Sequence, residues 1–322
     1  MRAIRVHETG GPEALRFEEI ELPPPGPGEA RVRHHAIGVN FLDVYYRTGL
    51  YPAAKPLTPG NEGAGEIVGL GKGVKGFKLG DRVVYAATLG SYSQERNVDT
   101  KFLVKLPSAI SYDTGAAMML KGLTAQYLLR QTYRVKKGDI ILVHAAAGGV
   151  GLVLCQWGKA LGATVIGTVG SPEKAKLAQK AGAKHVILYR GEDFVARVNE
   201  ITKGEKCHAV YDGIGKATFP GSLDCLRPFG TFASYGSASG PIESFNIGLL
   251  AQKGSLFATR PTLFTFLADR GRLERMARDL FSVVRSGAVK ISVSARVPLA
   301  EAGRAHQALE ARETTGSTIL LP

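Results

Sequence analysis

The opening residues, Met1-Arg2-Ala3-Ile4-Arg5-Val6-His7, alternate apolar with polar side chains, the period-two pattern of a half-buried strand and not the continuous apolar stretch of a secretory signal. Short β-rich runs recur at 30–39, 64–69 and 81–86. Between them glycine and proline interrupt the chain at Pro23-Pro24-Pro25-Gly26-Pro27-Gly28, at Pro52, Pro56 and Pro59-Gly60, and at Gly71, Gly73, Gly76 and Gly80. Punctuation of that kind predicts an irregular, mainly β domain. From about Gly122 the texture changes. Strand-like runs at 140–145, 164–169, 185–188, 209–212 and 230–235 alternate with helical patterns, which predicts parallel strands joined by right-handed crossovers in a doubly wound sheet. Ser171 as N-cap, Pro172 at the first helical position and Gly182 past the end bracket a helix over 174–181. After Phe257 a basic amphipathic helix, a strand over 289–297, a helix over 300–311 and a closing strand over 317–321 are expected to return to the first domain.

The 322 residues are enough for about two domains, and 44% hydrophobic with 21% charged residues is a globular composition. No apolar run reaches the roughly 18 residues a membrane helix needs, so a cytoplasmic protein is expected. Cys155, Cys207 and Cys225 have neither metal-site nor redox-motif spacing and read as buried, reduced thiols. The net charge of +13 favours a polyanionic or phosphorylated partner. Arg270, Arg272, Arg275 and Arg278 interleave with Asp269, Glu274 and Asp279 at helical spacing, which reads as a solvated helix face and not a nucleic-acid groove.

The strand at 140–145 runs into Ala146-Ala147-Gly148-Gly149-Val150-Gly151 and then a helical pattern over 152–161. Strand, glycine turn and helix are the order of a dinucleotide-binding unit, in which the backbone turns tightly, approaches a pyrophosphate and offers it the N–H groups of a helix N-terminus. Ala146 stands where the usual first glycine would be, and the competing reading is an ordinary tight turn in a parallel sheet. The next strand ends Gly167-Thr168-Val169-Gly170-Ser171, without the acid that would hold a ribose 2′-hydroxyl. Lys174 follows, and Tyr189-Arg190 ends the neighbouring strand. The missing acid points to the 2′-phosphate of NADPH, although Lys174 taken alone reads better as a solvated helix lysine, and Glu173 in the first helical turn suits the helix dipole.

Gly63-Ala64-Gly65-Glu66, Gly80-Asp81-Arg82-Val83 and residues 145–151, together with Gly10-Gly11-Pro12-Glu13, Asn40-Phe41-Leu42-Asp43, Lys121-Gly122-Leu123-Thr124 and Arg304-Ala305-His306, make the whole chain resemble the medium-chain dehydrogenase/reductase superfamily. Within it the resemblance is to the zinc-free quinone oxidoreductase (zeta-crystallin) family, which includes bacterial NADPH:quinone reductases. The resemblance implies a GroES-like catalytic domain over 1–122 and 258–322, and a Rossmann NADPH-binding domain over 123–257. Zinc enzymes of the superfamily place a cysteine and the histidine of a Gly-His-Glu motif on the metal; here Asn40 is near the first position and Gly60-Asn61-Glu62 is at the second, so no metal is expected. His34, His35 and His144 stand alone and are expected in strand or core roles.

By the same resemblance Asn40, Asp43, Tyr45 and Tyr51 line the nicotinamide cleft, and Asn40 and Tyr45 also meet the cofactor. Thr124, Ala147, Gly148, Gly149 and Val150 meet its nicotinamide and phosphate parts. Gly170, Ser171, Lys174 and Tyr189 surround the adenosine phosphate, and Tyr235, Ser237 and Arg260 close the far side. From the sequence alone Tyr45 and Tyr51 are as compatible with packing as with donating a hydrogen bond to a reduced quinone. Without a metal, the acceptor must already be electrophilic, as a quinone is. An enone or alkenal accepts hydride by similar chemistry and is the alternative substrate. An RNA-binding protein regulated by NADPH is a third reading, unsupported by any aromatic-basic motif. A small-molecule quinone and a second copy of the chain are the expected partners, the second because a doubly wound sheet leaves an edge, here near the apolar stretch 245–250.

Overall fold

Ile140-Ile141-Leu142-Val143 contains no polar side chain, which suits a strand covered on both faces. The structure is a computed structural model describing residues 1–322. In chain order its strands are β1 (Arg2–Arg5), β2 (Arg16–Glu19), β3 (Glu29–Gly38), β4 (Glu62–Leu70), β5 (Arg82–Ala86), β6 (Glu95–Asp99) and β7 (Val104–Lys105). There follow β8 (Ile140–Val143), β9 (Thr164–Val169), β10 (His185–Leu188), β11 (Cys207–Asp212), β12 (Leu226–Ser234), β13 (Phe257–Thr259), β14 (Val293–Pro298) and β15 (Ser317–Leu321). The α-helices are α1 (Phe41–Thr48), α2 (Tyr112–Tyr127), α3 (Gly149–Ala160), α4 (Pro172–Lys180), α5 (Phe194–Ile201), α6 (Gly221–Asp224), α7 (Gly248–Gln252), α8 (Leu263–Leu267), α9 (Arg270–Arg285) and α10 (Ala302–Glu310). No helix is long and apolar enough to cross a membrane.

The chain forms two compact units. The first comprises Met1–Leu123, Phe266–Arg285 and Ile291–Pro322. Its main sheet runs β14-β15-β3-β4-β5-β7, with β6 also paired to β3, and every pairing except β14 with β15 is antiparallel. Ile4, Ile37, Val297, Leu299, Ala305 and Leu320 share one core cluster, so hydrophobic burial joins the two ends of the chain. Helix α9 buries Leu273, Met276, Ala277, Leu280 and Phe281 and keeps its charges outward, where Arg270 pairs with Glu274. The solvated-face reading of that helix holds for its outer side.

The second unit comprises Thr124–Thr265 and Ser286–Lys290. Its six strands run β10-β9-β8-β11-β12-β13, all parallel, over a core of Leu142, Ile166, Ile187, Val210, Leu223 and Phe232. The order reverses between β8 and β11, the switch point at which such sheets open a crevice. Two expectations change here. The return to the first unit comes after Thr265 and not at 258, because Phe257–Thr259 is itself the sixth parallel strand, in register with Thr231, Phe232 and Ala233. The strand expected to start at Val289 starts at Val293, because Lys290 is tied to Gln156 through N–H to Oε1 at 2.8 Å and carbonyl to Nε2 at 3.1 Å. The sheet edge is β13, and the stretch 245–250 lies near it as expected, running as loop into the short helix α7 with the Leu250 carbonyl accepting from the Leu256 N–H at 3.0 Å.

Candidate functional site

In the second unit, β8 ends at Val143 and the chain turns through Ala145, at φ 52°, into Gly148, the N-cap of α3. A Cβ on Gly151 would lie 2.2 Å from the Ala145 carbonyl oxygen, so only glycine lets the helix start against the turn. Ala146 is accepted where a glycine was expected because its methyl sits over Gly167 of β9, where an added Cβ would come within 2.7 Å. The missing Cβ has moved to the neighbouring strand. No side chain caps α3 and no acid occupies its first turn, which leaves the N–H groups at its start to an anionic ligand. The cradle fits a pyrophosphate.

At the end of β9, Ser171 caps α4 by accepting from the Lys174 N–H at 3.4 Å, and hydrogen bonding to Ser171 holds the exposed Glu173 carboxyl below the usual range. A Cβ at Gly170 would stand 2.7 Å from the Tyr189 hydroxyl and 3.5 Å from Arg190 Nε. Arg190, which had been named only as a possible neighbour, therefore joins Gly170, Ser171, Lys174 and Tyr189. Beyond the switch point, Asp212 accepts from the N–H groups of Ile214 and Gly215 at 2.7 and 3.0 Å and shapes the loop after β11. The Tyr235 N–H bonds the Asp212 carbonyl, and Arg260 Nη1 reaches the Ser234 carbonyl at 3.1 Å. Residues 147–150, 170–174, 189, 235, 237 and 260 thus all follow the carboxyl ends of parallel strands, whereas Thr124 lies on α2, buried.

In the first unit two of the four catalytic candidates, Asn40 and Asp43, belong to one buried polar cluster, whereas Tyr45 and Tyr51 are only half-buried and pair with each other. Asn40 starts α1; its N–H bonds Asp43 Oδ2 at 2.9 Å and its Nδ2 bonds Glu62 Oε1 at 2.9 Å. Glu62, wholly buried, also accepts from Lys121 Nζ and the Leu120 N–H, both at 2.7 Å. Asn61 Nδ2 gives Asp43 Oδ1 a bond of 2.8 Å, and the Tyr92 hydroxyl gives Oδ2 one of 3.1 Å. Burial pushes the Asp43 carboxyl up to about 7 against these three donors. Tyr45 and Tyr51 lie side by side, ring centres 5.3 Å apart, on α1 and the turn that follows it. Asn61, Glu62, Lys121 and Tyr92 were absent from the candidates; the Gly60-Asn61-Glu62 tripeptide had been read only for the histidine it lacks. Lys121 stood in the quoted Lys121-Gly122-Leu123-Thr124 motif without a role and Tyr92 had no local signal, since only the fold brings them to the two acids.

His34, His35, His144 and the cysteines have structural surroundings. Burial pushes His34 down to about 4, between the Ser93 carbonyl and the Tyr85 hydroxyl at 2.7 Å each. His144 bonds Thr168 and Ser222, and His35 stacks on Tyr112 at 4.2 Å. Burial pushes the Cys155 and Cys225 thiols up to about 12, so neither is a thiolate. No three His, Cys, Asp or Glu side chains are grouped to hold a metal ion, and the Asn40 and Asn61 amides both bond carboxylates.

The alcohol dehydrogenase GroES-like domain family matches residues 26–139, and the zinc-binding dehydrogenase family matches residues 149–270. A Pseudomonas aeruginosa quinone oxidoreductase is 53% identical over 323 residues, covering 100% of this chain and 99% of that protein. The chain belongs to the quinone oxidoreductase family. The crystal structure of the Escherichia coli quinone oxidoreductase complexed with NADPH superposes with a TM-score of 0.98 at 48% identity, covering all of both chains. A 2-haloacrylate reductase from Burkholderia is 45% identical over 328 residues, covering 99% of this chain and 98% of that protein. Quinone oxidoreductases are the zinc-free branch of these dehydrogenases, as the Asn40 and Asn61 amides indicate.

Asp43 makes stability depend on pH. Its folded value of about 7 lies above the roughly 3.9 of an unfolded aspartate, so this group's stabilisation is complete below about 4 and is lost as the pH rises to 7. His34 and His306, lowered to about 4 and about 3, act oppositely as the pH falls below about 6.5, so the share of Asp43 is read by difference. Relative to Asp43→Asn, the wild-type protein should lose up to about 1.4 kcal/mol per pH unit between pH 4 and 7, measured by urea unfolding.

Proposed function

We propose that this protein reduces quinones with NADPH, without a metal. The observation that carries the reading is the pairing of Asn40 with Glu62 and of Asn61 with Asp43, near the first and at the second of the positions where, by the family resemblance, zinc enzymes of the superfamily hold their ion. NADPH, when bound, supplies a hydride equivalent, and a quinone accepts it without Lewis-acid help and takes up a proton to become a hydroquinone. The chain's part is to hold and orient. The start of α3 receives the pyrophosphate, Gly170, Ser171, Lys174, Tyr189 and Arg190 receive the 2′-phosphate, and Thr124, Tyr235, Ser237 and Arg260 complete the cofactor site. Asn40, Asp43, Tyr45 and Tyr51 are the first unit's candidates to meet the acceptor, the two phenols donating to its developing oxyanion. NADPH oxidation measured against ortho-quinones, para-quinones and enones tests this, with quinones the faster acceptors. The 2-haloacrylate reductase relative favours a second reading, in which an activated carbon–carbon double bond takes the hydride; enones then outrun quinones.

The same reading places the enzyme in the cytoplasm as a homodimer. Strand β13 is an unpaired parallel edge, and its Phe257, with Phe229 and Ile247, is 62%, 69% and 76% exposed respectively. A second copy laid along this edge would satisfy the open backbone groups and cover the apolar side chains. Light scattering at micromolar concentration should give twice the mass of one chain.

NADPH should bind at least tenfold more tightly than NADH, since each charge-assisted contact to phosphate contributes on the order of 1.5 to 3 kcal/mol. Arg190→Ala and Lys174→Ala should each weaken NADPH and leave NADH nearly unaffected, as titration calorimetry would show. With an activated quinone, Tyr45→Phe and Tyr51→Phe should each lower turnover by less than about a hundredfold, because positioning and not acid–base chemistry supplies most of the rate. The loss should grow with weaker acceptors, read from steady-state rates across the quinone series.

A further inference from the structure

Arg47 is the largest of the fully buried side chains, 1% exposed, and a buried guanidinium persists only where its charge and its donors are matched. Its Nη1 and Nη2 reach the two carboxylate oxygens of Glu310 at 2.9 and 2.7 Å, at the end of α10 where Glu310 is 34% exposed, and its Nε bonds the Gly10 carbonyl at 3.1 Å. Nη1 also lies 3.2 Å from His306 Nδ1. A guanidinium has donors only, so Nδ1 must accept and Nε2 must carry the imidazole proton. Nε2 is 3.0 Å from the Tyr92 oxygen, which accepts and turns its own O–H onto Asp43 Oδ2. Each bond in this line points the same way, from a cation paired at the surface to a buried carboxylate.

We propose that Tyr92, His306 and Arg47 are positioning residues that set the charge of Asp43 through this one-way line of donors, with Glu310 as its adjustable outer end. The charge on Asp43 in turn selects the orientation of Asn61. A carboxylate at Asp43 requires the amide N–H, which leaves Asn61 Oδ1 buried without a donor. A protonated Asp43 supplies an O–H that the turned amide oxygen accepts, which gives Asn61 Oδ1 its donor and turns Nδ2 to the side away from Asp43. The line therefore decides whether Asn61 presents its oxygen or its N–H away from Asp43. The other ionisable groups around Asp43 are Glu62 from β4, held by Lys121, and Tyr46 on its own helix. None of these lies in the line.

The test is the titration of the Asp43 carboxyl by carbon-13 NMR in the full-length protein, assigned with Asp43→Asn. Tyr92→Phe removes a donor to the carboxylate and should raise the midpoint by roughly one pH unit. Glu310→Gln leaves Arg47 uncompensated and should lower it, and in the Tyr92→Phe background that downward shift should shrink. Shifts of opposite sign with this coupling are not produced by loosened packing, whereas an unmoved midpoint in either folded variant, or full additivity, would overturn the proposal. Should Tyr92→Phe fail to fold, His306→Leu takes its place with a smaller upward shift. The pH profile of quinone turnover should move in the same directions. That last effect rests on placing Asp43 in the reducing site; the NMR titration does not, so a moved titration with an unmoved rate profile supports the line and counts against that placement.

Discussion

Two carboxylates with no solvent exposure, Asp43 and Glu62, organise the buried polar contacts of the first unit. An unpaired charge in such a place costs several kcal/mol, so each acid must be surrounded by donors at hydrogen-bond distance. Glu62 is met by Lys121, by the Leu120 N–H and by Asn40; Asp43 is met by Asn40, Asn61 and Tyr92. Those partners come from α1, α2, the start of β4 and the loop before β6. Satisfying two acids therefore fixes where four separate pieces of chain stand, including the helix that carries Tyr45.

The second unit works under a different constraint, the close approach of backbone to backbone. Gly151 lets α3 begin against the Ala145 carbonyl, and Gly167 gives the Ala146 methyl its space. The same economy of side chains leaves the helix start uncapped, which is what an anion requires. The proposed phosphate site is therefore mainly backbone, with Tyr189 and Arg190 beside Gly170 as the side chains at its proposed adenosine end.

The two arrangements suit hydride transfer without a metal. A metal would polarise the acceptor; amides bonded to carboxylates cannot, and they leave positioning and oxyanion hydrogen bonds to do so. A strongly electrophilic acceptor meets that demand, which is why the quinone reading and the activated-alkene reading both fit the same donor set.

Much of this was legible in the chain itself. Alternation of strand-like and helical runs after Gly122, and the cap signals around 171–182, specified parallel βαβ units because period and capping are local properties. Strand β9 was read residue for residue, and the acid-free end of that strand indicated the phosphorylated cofactor. The return point near Thr265 was not legible, since a three-residue strand such as β13 has no periodicity to detect and exists only through its pairing with β12. Nor were Lys121, Tyr92, His306 and Arg47 recognisable as partners of the site, because residues up to 263 positions apart in the chain meet only through tertiary packing. Local sequence determined which segments would be strands, helices and phosphate-binding turns; the tertiary structure alone decided which buried charges would face one another, because desolvation and hydrogen bonding act on neighbours in space.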